Sequence, residues 1–206
     1  MSAVAPVALH RPLAPEDAAR GDFYALLARL LAAPPDGALL ASLAGAGPLE
    51  GRDELPGAWR GLVDASKAMD ADAAAEEYEA LFAGVGKAAV SIYAGFYGGA
   101  TAVEHPRVRI LEDLAALGLA RPEGTTEPED HFAGLFEVMR VLVAGGAGRS
   151  PAELAEQERF FRAHLAGSAP GFMATLAAAP KANYYRHVAA VGRAFVALEA
   201  ESFELE

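Results

Sequence analysis

The amino-acid sequence predicts an all-α protein, a single-domain bundle of roughly eight to ten helices. Alanine and leucine dominate its apolar residues, whereas the β-branched residues that suit a pleated sheet are sparse and scattered. Apolar side chains also recur three and four positions apart along most of the chain, which is the spacing of one helix face. With 53% hydrophobic and 22% charged residues, the chain has the balance of a folded globular protein.

The length of 206 residues favours one domain with one substantial core. We expect a flexible N-terminal segment over residues 1–14 and the helical domain over residues 15–206. The N-terminal segment contains several prolines and no continuous apolar run, so it is not typical of a secretory signal. Charges interrupt every apolar stretch before it reaches the about 20 residues that span a bilayer, so we expect no membrane insertion.

The first helix is predicted over residues 15–33. Glu16 and Asp17 lie in its first turn, where the helix dipole favours negative charge, and Pro34 ends it. Three further helices are predicted over residues 36–43, 58–69 and 72–82. The apolar residues of the first helix recur at helical spacing: Phe23, Leu26, Leu27, Leu30 and Leu31.

The helical pattern stops after Phe82. Residues 84–99 are rich in glycine and also contain three aromatic side chains. Glycine releases the backbone from helical restraint, so this segment is predicted to be an ordered loop or a broken helix. Such a segment would present its aromatic residues, which are Tyr93, Phe96 and Tyr97.

Five helices are predicted in the C-terminal half. The first covers residues 106–117, where Val108, Leu111, Leu114 and Leu117 share one face. The second has the clearest pattern, because Thr126 and Glu129 have capping-box spacing and Pro128 suits a first turn. It carries a sustained apolar stripe: Phe132, Leu135, Phe136, Met139, Leu142 and Val143.

The three remaining helices are predicted over residues 151–165, 171–178 and 183–203. Leu154, Phe160, Phe161 and Leu165 face inward on the first of these. Pro180 separates the second from the last. The predicted buried face of the last helix is formed by Tyr184, Val188, Val191, Phe195 and Leu198.

Charge and cysteine content exclude several function classes. The formal net charge of −11 repels the phosphates of nucleic acids, whereas it attracts a basic peptide. A second interpretation of this charge is simple solubility in the cytoplasm. The sequence has no cysteine, which rules out disulfides, thiolate metal sites and a cysteine nucleophile.

No motif of a catalytic, metal or cofactor site stands out. Gly84, Gly86 and Lys87 superficially resemble a nucleotide loop, but the preceding segment is helical and no Ser or Thr follows the lysine. None of the five histidines has a glutamate three positions before it, as di-iron helical bundles require. No nucleophile-elbow pattern surrounds a serine. We therefore predict no bound cofactor and no resident metal.

Glu127, Pro128, Glu129, Asp130 and His131 form the most unusual polar cluster. One interpretation is structural, since acidic residues stabilise a helix N-terminus and Asp130 can cap an amide or hold His131. The other interpretation is functional. An acidic helix start beside the aromatic loop would form a groove with a negative rim and an apolar floor, which suits a peptide that carries basic residues before an apolar run.

At these residues the sequence resembles the TorD/DmsD/NarJ family of redox-enzyme maturation chaperones. The resemblance extends from about Phe23 to Phe203. It is carried by four segments in order: Glu77-Tyr-Glu-Ala-Leu-Phe-Ala-Gly84, Tyr93-Ala-Gly-Phe-Tyr97, Glu127-Pro-Glu-Asp-His131 and Tyr184-Tyr-Arg186.

The resemblance implies a cytoplasmic chaperone and not an enzyme. Its partner would be the precursor of a molybdopterin oxidoreductase catalytic subunit, bound through its twin-arginine signal peptide until cofactor insertion and assembly are complete. The resemblance associates Tyr93, Tyr97, Asp130 and His131 with signal-peptide binding. Physical reasoning adds Phe96, Glu127, Pro128 and Glu129, because carboxylates accept guanidinium hydrogen bonds and aromatic rings cover apolar surface.

Two other functions remain open at this point. Asp130 and His131 could form the acid/base pair of an enzyme that acts on a small ligand. The chain could also be a structural subunit that stays in its assembly. Both a monomer and a homodimer are compatible with the sequence.

Overall fold

The computed structural model describes residues 13–83, 88–98, 106–120, 127–146 and 148–205. These residues form nine α-helices and no β-strand, so the predicted all-α fold is confirmed. Most of the predicted flexible N-terminal segment, the nucleotide-like residues Gly84, Gly86 and Lys87, and Thr126 lie outside the described residues. The helices are α1 Pro15–Ala32, α2 Gly37–Ala44, α3 Leu55–Ala68, α4 Ala71–Tyr78, α5 Pro106–Ala116, α6 Phe132–Ala144, α7 Leu154–His164, α8 Ala169–Ala178 and α9 Tyr185–Ser202.

Two short irregular turns interrupt this pattern. A single π-helical turn, Glu79–Ala83, continues α4. A 3₁₀ turn, Ala94–Phe96, lies in the aromatic segment, so the predicted loop is ordered here and contains one short helical turn.

Helices α1 and α6 pack along each other in the centre of the bundle, and α9 packs against α3 and α8. The apolar stripe predicted for α6 is confirmed, because all six of its residues are buried. Aromatic rings fill the space between helices. The Phe132 and Phe172 rings stack at 4.3 Å between centroids, and the Tyr24 and Phe195 rings meet edge to face at 4.8 Å.

A buried polar cluster joins α1 to α9. Glu199, which is 1% exposed, accepts two hydrogen bonds from the Arg20 guanidinium at 2.7 and 2.9 Å. The Tyr24 hydroxyl donates to the same carboxylate at 2.7 Å. A buried carboxylate is tolerated only when such partners replace its lost hydration. This pairing fixes how α9 lies on α1.

A second acidic side chain joins α4 to the start of α9. The Glu77 carboxylate accepts backbone N–H groups from Asn183 at 2.9 Å, Tyr184 at 2.9 Å and Tyr185 at 2.7 Å. The first turn of a helix has N–H groups without intrahelical partners, and this carboxylate satisfies them from another helix. Two of the four segments that carried the family resemblance therefore meet in one contact.

Two predicted apolar faces require correction. Val108 and Leu111 of α5 are 47% and 48% exposed, although Leu117 on the same face is buried. The side chain of Ile110, which the spacing argument had left out, is buried at 2% exposure. On α9, Leu198 is 36% exposed, whereas the other four residues of the predicted face are buried. The buried side of α5 therefore follows Ile110, Leu114 and Leu117, whereas Leu198 lies at the edge of the buried face of α9.

Polar contacts attach α5 to the rest of the bundle. The Asp113 carboxylate lies 2.7 Å from Nε2 of the buried His164 on α7 and pairs with Arg159. The Arg149 guanidinium donates to the Leu117 carbonyl oxygen. Helix α5 is thus a wall of the bundle that depends on charged contacts as well as on a few buried apolar residues.

Candidate functional site

The aromatic segment and the start of α6 are adjacent in space. Tyr93 and His131 form an isolated antiparallel bridge, and their rings meet edge to face at 5.5 Å between centroids. The Ala94 amide donates to the Asp130 carbonyl at 2.8 Å, and the Phe132 amide donates to the Ile92 carbonyl at 3.1 Å. The structure therefore brings together the two segments that the sequence singled out separately.

This bridge explains why the predicted capping box of α6 is wrong. Helix α6 begins at Phe132, so Glu129 and Pro128 precede it instead of forming its first turn. His131 is the N-cap, in an extended conformation, and its Nδ1 accepts the Ala133 amide at 3.1 Å. The bridge to Tyr93 holds His131 itself extended, so the helix begins only at Phe132.

Asp130 and His131 both have structural contacts. One carboxylate oxygen of Asp130 accepts the Gly95 amide at 3.3 Å, which holds the aromatic segment against α6. Because Nδ1 of His131 accepts the Ala133 amide, that nitrogen caps a helix and is not available as a general base. The structural interpretation of this cluster therefore applies to these two residues, and the geometry gives no support to an acid/base pair.

The acidic residues already contact a cation of the same chain. The Arg107 guanidinium, from the first turn of α5, donates to one carboxylate oxygen of Glu129 at 2.9 and 3.2 Å. The same guanidinium lies 4.0 Å from an oxygen of Asp130. The negative charge that the sequence predicted at this place is present, but Arg107 offsets part of it.

The three aromatic residues of the loop differ in their exposure. Phe96 is 68% exposed and Tyr93 is 37% exposed, which is unusual for large apolar side chains. Tyr97 instead points inward, where its ring contacts Phe172 and Phe132 at 5.7 and 6.0 Å between centroids. Its hydroxyl donates to the Ser91 carbonyl at 2.8 Å. Phe96 and Tyr93 therefore offer more apolar surface to a partner than the partly buried Tyr97 does.

A groove of about 1140 Å³ opens beside the polar cluster, between α1, α5 and α6. Glu127, Pro128, Glu129 and His131 line one part of it, whereas Asp130 and the three loop aromatics do not. Ile110 and Leu114 of α5 form a wall. Small and aliphatic residues of α1 and α6 supply most of the remaining apolar lining: Ala25, Ala28, Ala32, Ala133, Gly134 and Val138.

Sequence reasoning missed this groove. It forms where small residues recur on facing sides of α1 and α6, because short side chains leave space between two closely packed helices. Ala25, Ala28 and Ala32 lie three and four positions apart, which is a detectable signal. The participation of α5 had no signal, because it depends on contacts between residues far apart in sequence.

Charged side chains at the groove are largely paired within the chain. Arg140 donates to the Glu137 carboxylate at 2.7 and 2.8 Å, and Arg29 pairs with Asp36 at 3.2 Å. These exposed pairs leave the groove with no strong net charge at that side. Among the described residues, no cluster of three or more His, Asp or Glu side chains is arranged to hold a metal ion.

Burial lowers the pKa of His131, and this effect exceeds the opposing influence of Glu127 and Asp130. The neutral ring therefore caps α6 at neutral pH. Since the folded-state pKa lies below the unfolded one, the unfolded chain takes up a proton first as the pH falls from about 6.5, and stability decreases there. We expect His131→Asn, which retains a good N-cap, to reduce this pH dependence.

Urea unfolding of both proteins at pH 7.5 and 5.5 measures the effect. The loss of unfolding free energy between the two pH values is expected to be smaller in the variant than in the unmodified protein. Because His164 and His187 titrate in both proteins, their contribution cancels in the comparison. An identical loss in both proteins would show that His131 does not titrate in this range.

A comparison with protein families gives a match for this chain. The family model described as nitrate reductase delta subunit matches residues 50–174, more than half of the chain. The matched range contains both the Tyr93–Phe96 segment and the start of α6. A comparison with curated proteins found no match. In the described part of the chain, no helix has the length and apolar character to cross a membrane.

The resemblance drawn from four short segments is thus confirmed at the level of the family. The family comprises chaperones and not enzymes, and its members assist the maturation of molybdoenzymes by binding their catalytic subunit. The chain belongs to the nitrate reductase delta subunit family of NarJ/TorD-type maturation chaperones.

Proposed function

We propose that this chaperone binds the twin-arginine signal peptide of a molybdopterin oxidoreductase precursor in the cytoplasm, through the groove between α1, α5 and α6. It retains the catalytic subunit until cofactor insertion and assembly are complete, and so prevents premature export. Residues 15–206 form the chaperone domain. The observation that supports this proposal most strongly is the apolar groove that ends at Glu127 and Glu129.

The size and lining of the groove suit a peptide. Its volume of about 1140 Å³ exceeds the roughly 300–1,000 Å³ of most small-molecule sites. Alanine and glycine on α1 and α6 allow another backbone to come close, and the apolar walls can cover leucine-like side chains. An amphipathic or apolar helix in a groove is a common mode of peptide recognition.

The polar cluster gives the peptide a direction. A signal peptide with two arginines before its apolar run would place the guanidinium groups near Glu127 and Glu129. Carboxylates bind guanidinium through charge-assisted hydrogen bonds. The exposed Tyr93 ring contacts His131, and the exposed Phe96 ring follows it in the same segment, so both can extend the apolar contact. Tyr97, Asp130 and His131 hold the site in shape.

Calorimetry with three synthetic peptides tests the proposal. The first carries two arginines and the apolar run, the second has glutamine for both arginines, and the third has serine for the leucines of the run. We expect the first to bind with a dissociation constant of micromolar order. The peptide without the apolar run should lose more binding free energy than the peptide without the arginines. Burying each leucine contributes about 1.5–3 kcal/mol, whereas an exposed ion pair contributes about 0–1 kcal/mol.

The salt dependence provides an internal control. Affinity of the arginine peptide should fall between 50 mM and 500 mM salt, whereas affinity of the glutamine peptide should change little, because salt screens exposed charges. If none of the peptides and no molybdoenzyme precursor releases heat, the proposed binding mode is wrong.

A further inference from the structure

The contact between Arg107 and Glu129 suggests how the site is regulated, and this inference rests on the proposed function. We propose that Arg107 is an internal stand-in for an arginine of the client. In the unbound protein its guanidinium is hydrogen-bonded to the Glu129 carboxylate, which the client's arginine requires. A guanidinium-bearing segment that enters the groove replaces it, and Arg107 then moves into solvent.

The two partners of this ion pair are buried to very different extents. The side chains of Glu129 and Asp130 are 8% and 9% exposed, whereas that of Arg107 is 45% exposed. A nearly buried carboxylate loses much of its hydration and needs a cation beside it. The half-exposed guanidinium, in contrast, regains water easily when it leaves. The acidic side of the pair is therefore fixed, and the basic side is the replaceable one.

The position of the pair connects it to a ligand site. Glu129 lines the groove, and Arg107 belongs to the helix that forms one of its walls. A peptide guanidinium that binds both oxygens of Glu129 must compete with Arg107 for Oε2, the oxygen to which Arg107 donates. The groove itself is an observation independent of the acidic residues, and it indicates that an external chain can approach this point.

The attachment of α5 allows this exchange. Val108 and Leu111, one and four positions after Arg107, face solvent, and no close apolar packing fixes that side of the helix. The second half of α5 is held by Asp113, which pairs with Arg159 and His164 of α7, and by Arg149, which donates to the Leu117 carbonyl oxygen. The exposed side chain of Arg107 can therefore turn into solvent, while the buried Ile110 and the polar contacts of the second half keep α5 in place.

Asp130 keeps the loop in place during the exchange. Its Oδ2 accepts the Gly95 amide at 3.3 Å, and its Oδ1 is the oxygen that lies 4.0 Å from Arg107. A guanidinium that replaces Arg107 meets Oδ1 and leaves the hydrogen bond at Oδ2 intact. The NMR signal of the Gly95 amide should therefore change when a guanidinium replaces Arg107 at Oδ1, although this amide does not itself bind the guanidinium.

A small guanidinium probe tests the competition without any client. Argininamide is titrated into the unmodified protein, Arg107→Met and Arg193→Met, and the Gly95 amide resonance is followed by NMR. Arg193 is the matched control, because it forms an exposed pair with Glu54 away from the groove and its replacement changes the net charge equally. Methionine keeps the length of the apolar stem.

We expect Arg107→Met to bind argininamide about two- to fivefold more tightly than the unmodified protein, the ratio that corresponds to the usual strength of a half-exposed ion pair. Arg193→Met should bind like the unmodified protein. Arg107→Lys, which keeps a cation but loses the planar fork, should give a smaller gain and serves if the methionine variant is unstable. Equal binding by all the proteins, or an equal gain in Arg193→Met, overturns the proposal.

The arginine and glutamine peptides separate this proposal from the proposed function. Arg107→Met should improve binding of the arginine peptide alone. Weaker binding of both peptides would mean that Arg107 contacts the client directly, and equal improvement of both would mean a general opening of α5; either result overturns the stand-in role. If no peptide binds but argininamide binds more tightly to Arg107→Met, the proposed function fails and the competition stands.

Discussion

Replacement of Glu77 by alanine is expected to lower the free energy of unfolding by about 2–3 kcal/mol, because three backbone N–H groups lose a charged acceptor at once. These groups belong to Asn183, Tyr184 and Tyr185, at the start of α9. The N-cap residue of α9, Tyr184, makes no side-chain cap of its own. Chemical denaturation at pH 7 measures the loss.

The position of α9 in the bundle makes this contact important. Tyr184 and Tyr185 are fully buried, and α9 also carries the Glu199 carboxylate that binds Arg20. A frayed first turn would therefore expose apolar surface as well as unsatisfied amides. The negative charge of Glu77 also interacts favourably with the positive end of the helix dipole.

Two control variants separate the cap from a general effect of charge. Glu76→Ala removes an exposed carboxylate one position earlier on the same helix, and we expect a change within about 0.5 kcal/mol. Glu77→Gln keeps an acceptor oxygen but loses the charge and one acceptor, so its effect should be intermediate. Equal stability of Glu77→Ala and Glu76→Ala would contradict the capping role.

The sequence predicted the helices because their apolar periodicity is local information. In α6 every residue of the predicted stripe is buried, since the helix lies in the centre of the bundle. The start of α6 was mispredicted because two backbone hydrogen bonds to a segment almost forty positions earlier keep His131 extended: the Phe132 amide donates to the Ile92 carbonyl, and the Ala94 amide donates to the Asp130 carbonyl. A capping box is a local pattern, and here long-range backbone pairing overrides it.

In the candidate site, too, the local features were predictable from sequence and the long-range contacts were not. Its two segments were recognised by composition, glycine and aromatics in one and carboxylates in the other, and the structure brings them into contact at Tyr93 and His131. Their internal arrangement was not predictable from sequence. The inward orientation of Tyr97 depends on Phe132 and Phe172, and the pairing of Glu129 depends on the position of α5.

The groove supplies most of the apolar surface that the proposed function requires, and the exposed aromatic rings supply a smaller part. The sequence had instead predicted that the loop aromatics would form the apolar floor of the groove. Alanines on α1 carry no distinctive chemistry, so composition does not mark them as a site. Their significance arises only when α1 lies along α6 and leaves space between the two helices.

Filling the groove from within is therefore the most decisive functional experiment, and Gly134→Phe does this with little risk to the fold. Gly134 lies on α6, lines the groove, and a Cβ added there meets no atom within 4 Å. Replacing a glycine inside a helix also raises helix propensity by up to about 1 kcal/mol. We expect the variant to be at least as stable as the unmodified protein.

Binding of the arginine peptide should nevertheless fall by roughly 10- to 100-fold, since each apolar side chain kept out of the groove forfeits about 1.5–3 kcal/mol. Gly57→Phe is the matched control, because Gly57 lies on α3 outside the groove and its added Cβ also meets nothing within 4 Å. Gly134→Ala should fall between the two, since one methyl group narrows the groove only slightly. If Gly134→Phe and Gly57→Phe bind the peptide equally well, the client lies elsewhere, and the exposed rings of Tyr93 and Phe96 become the surface to which its apolar run must be assigned.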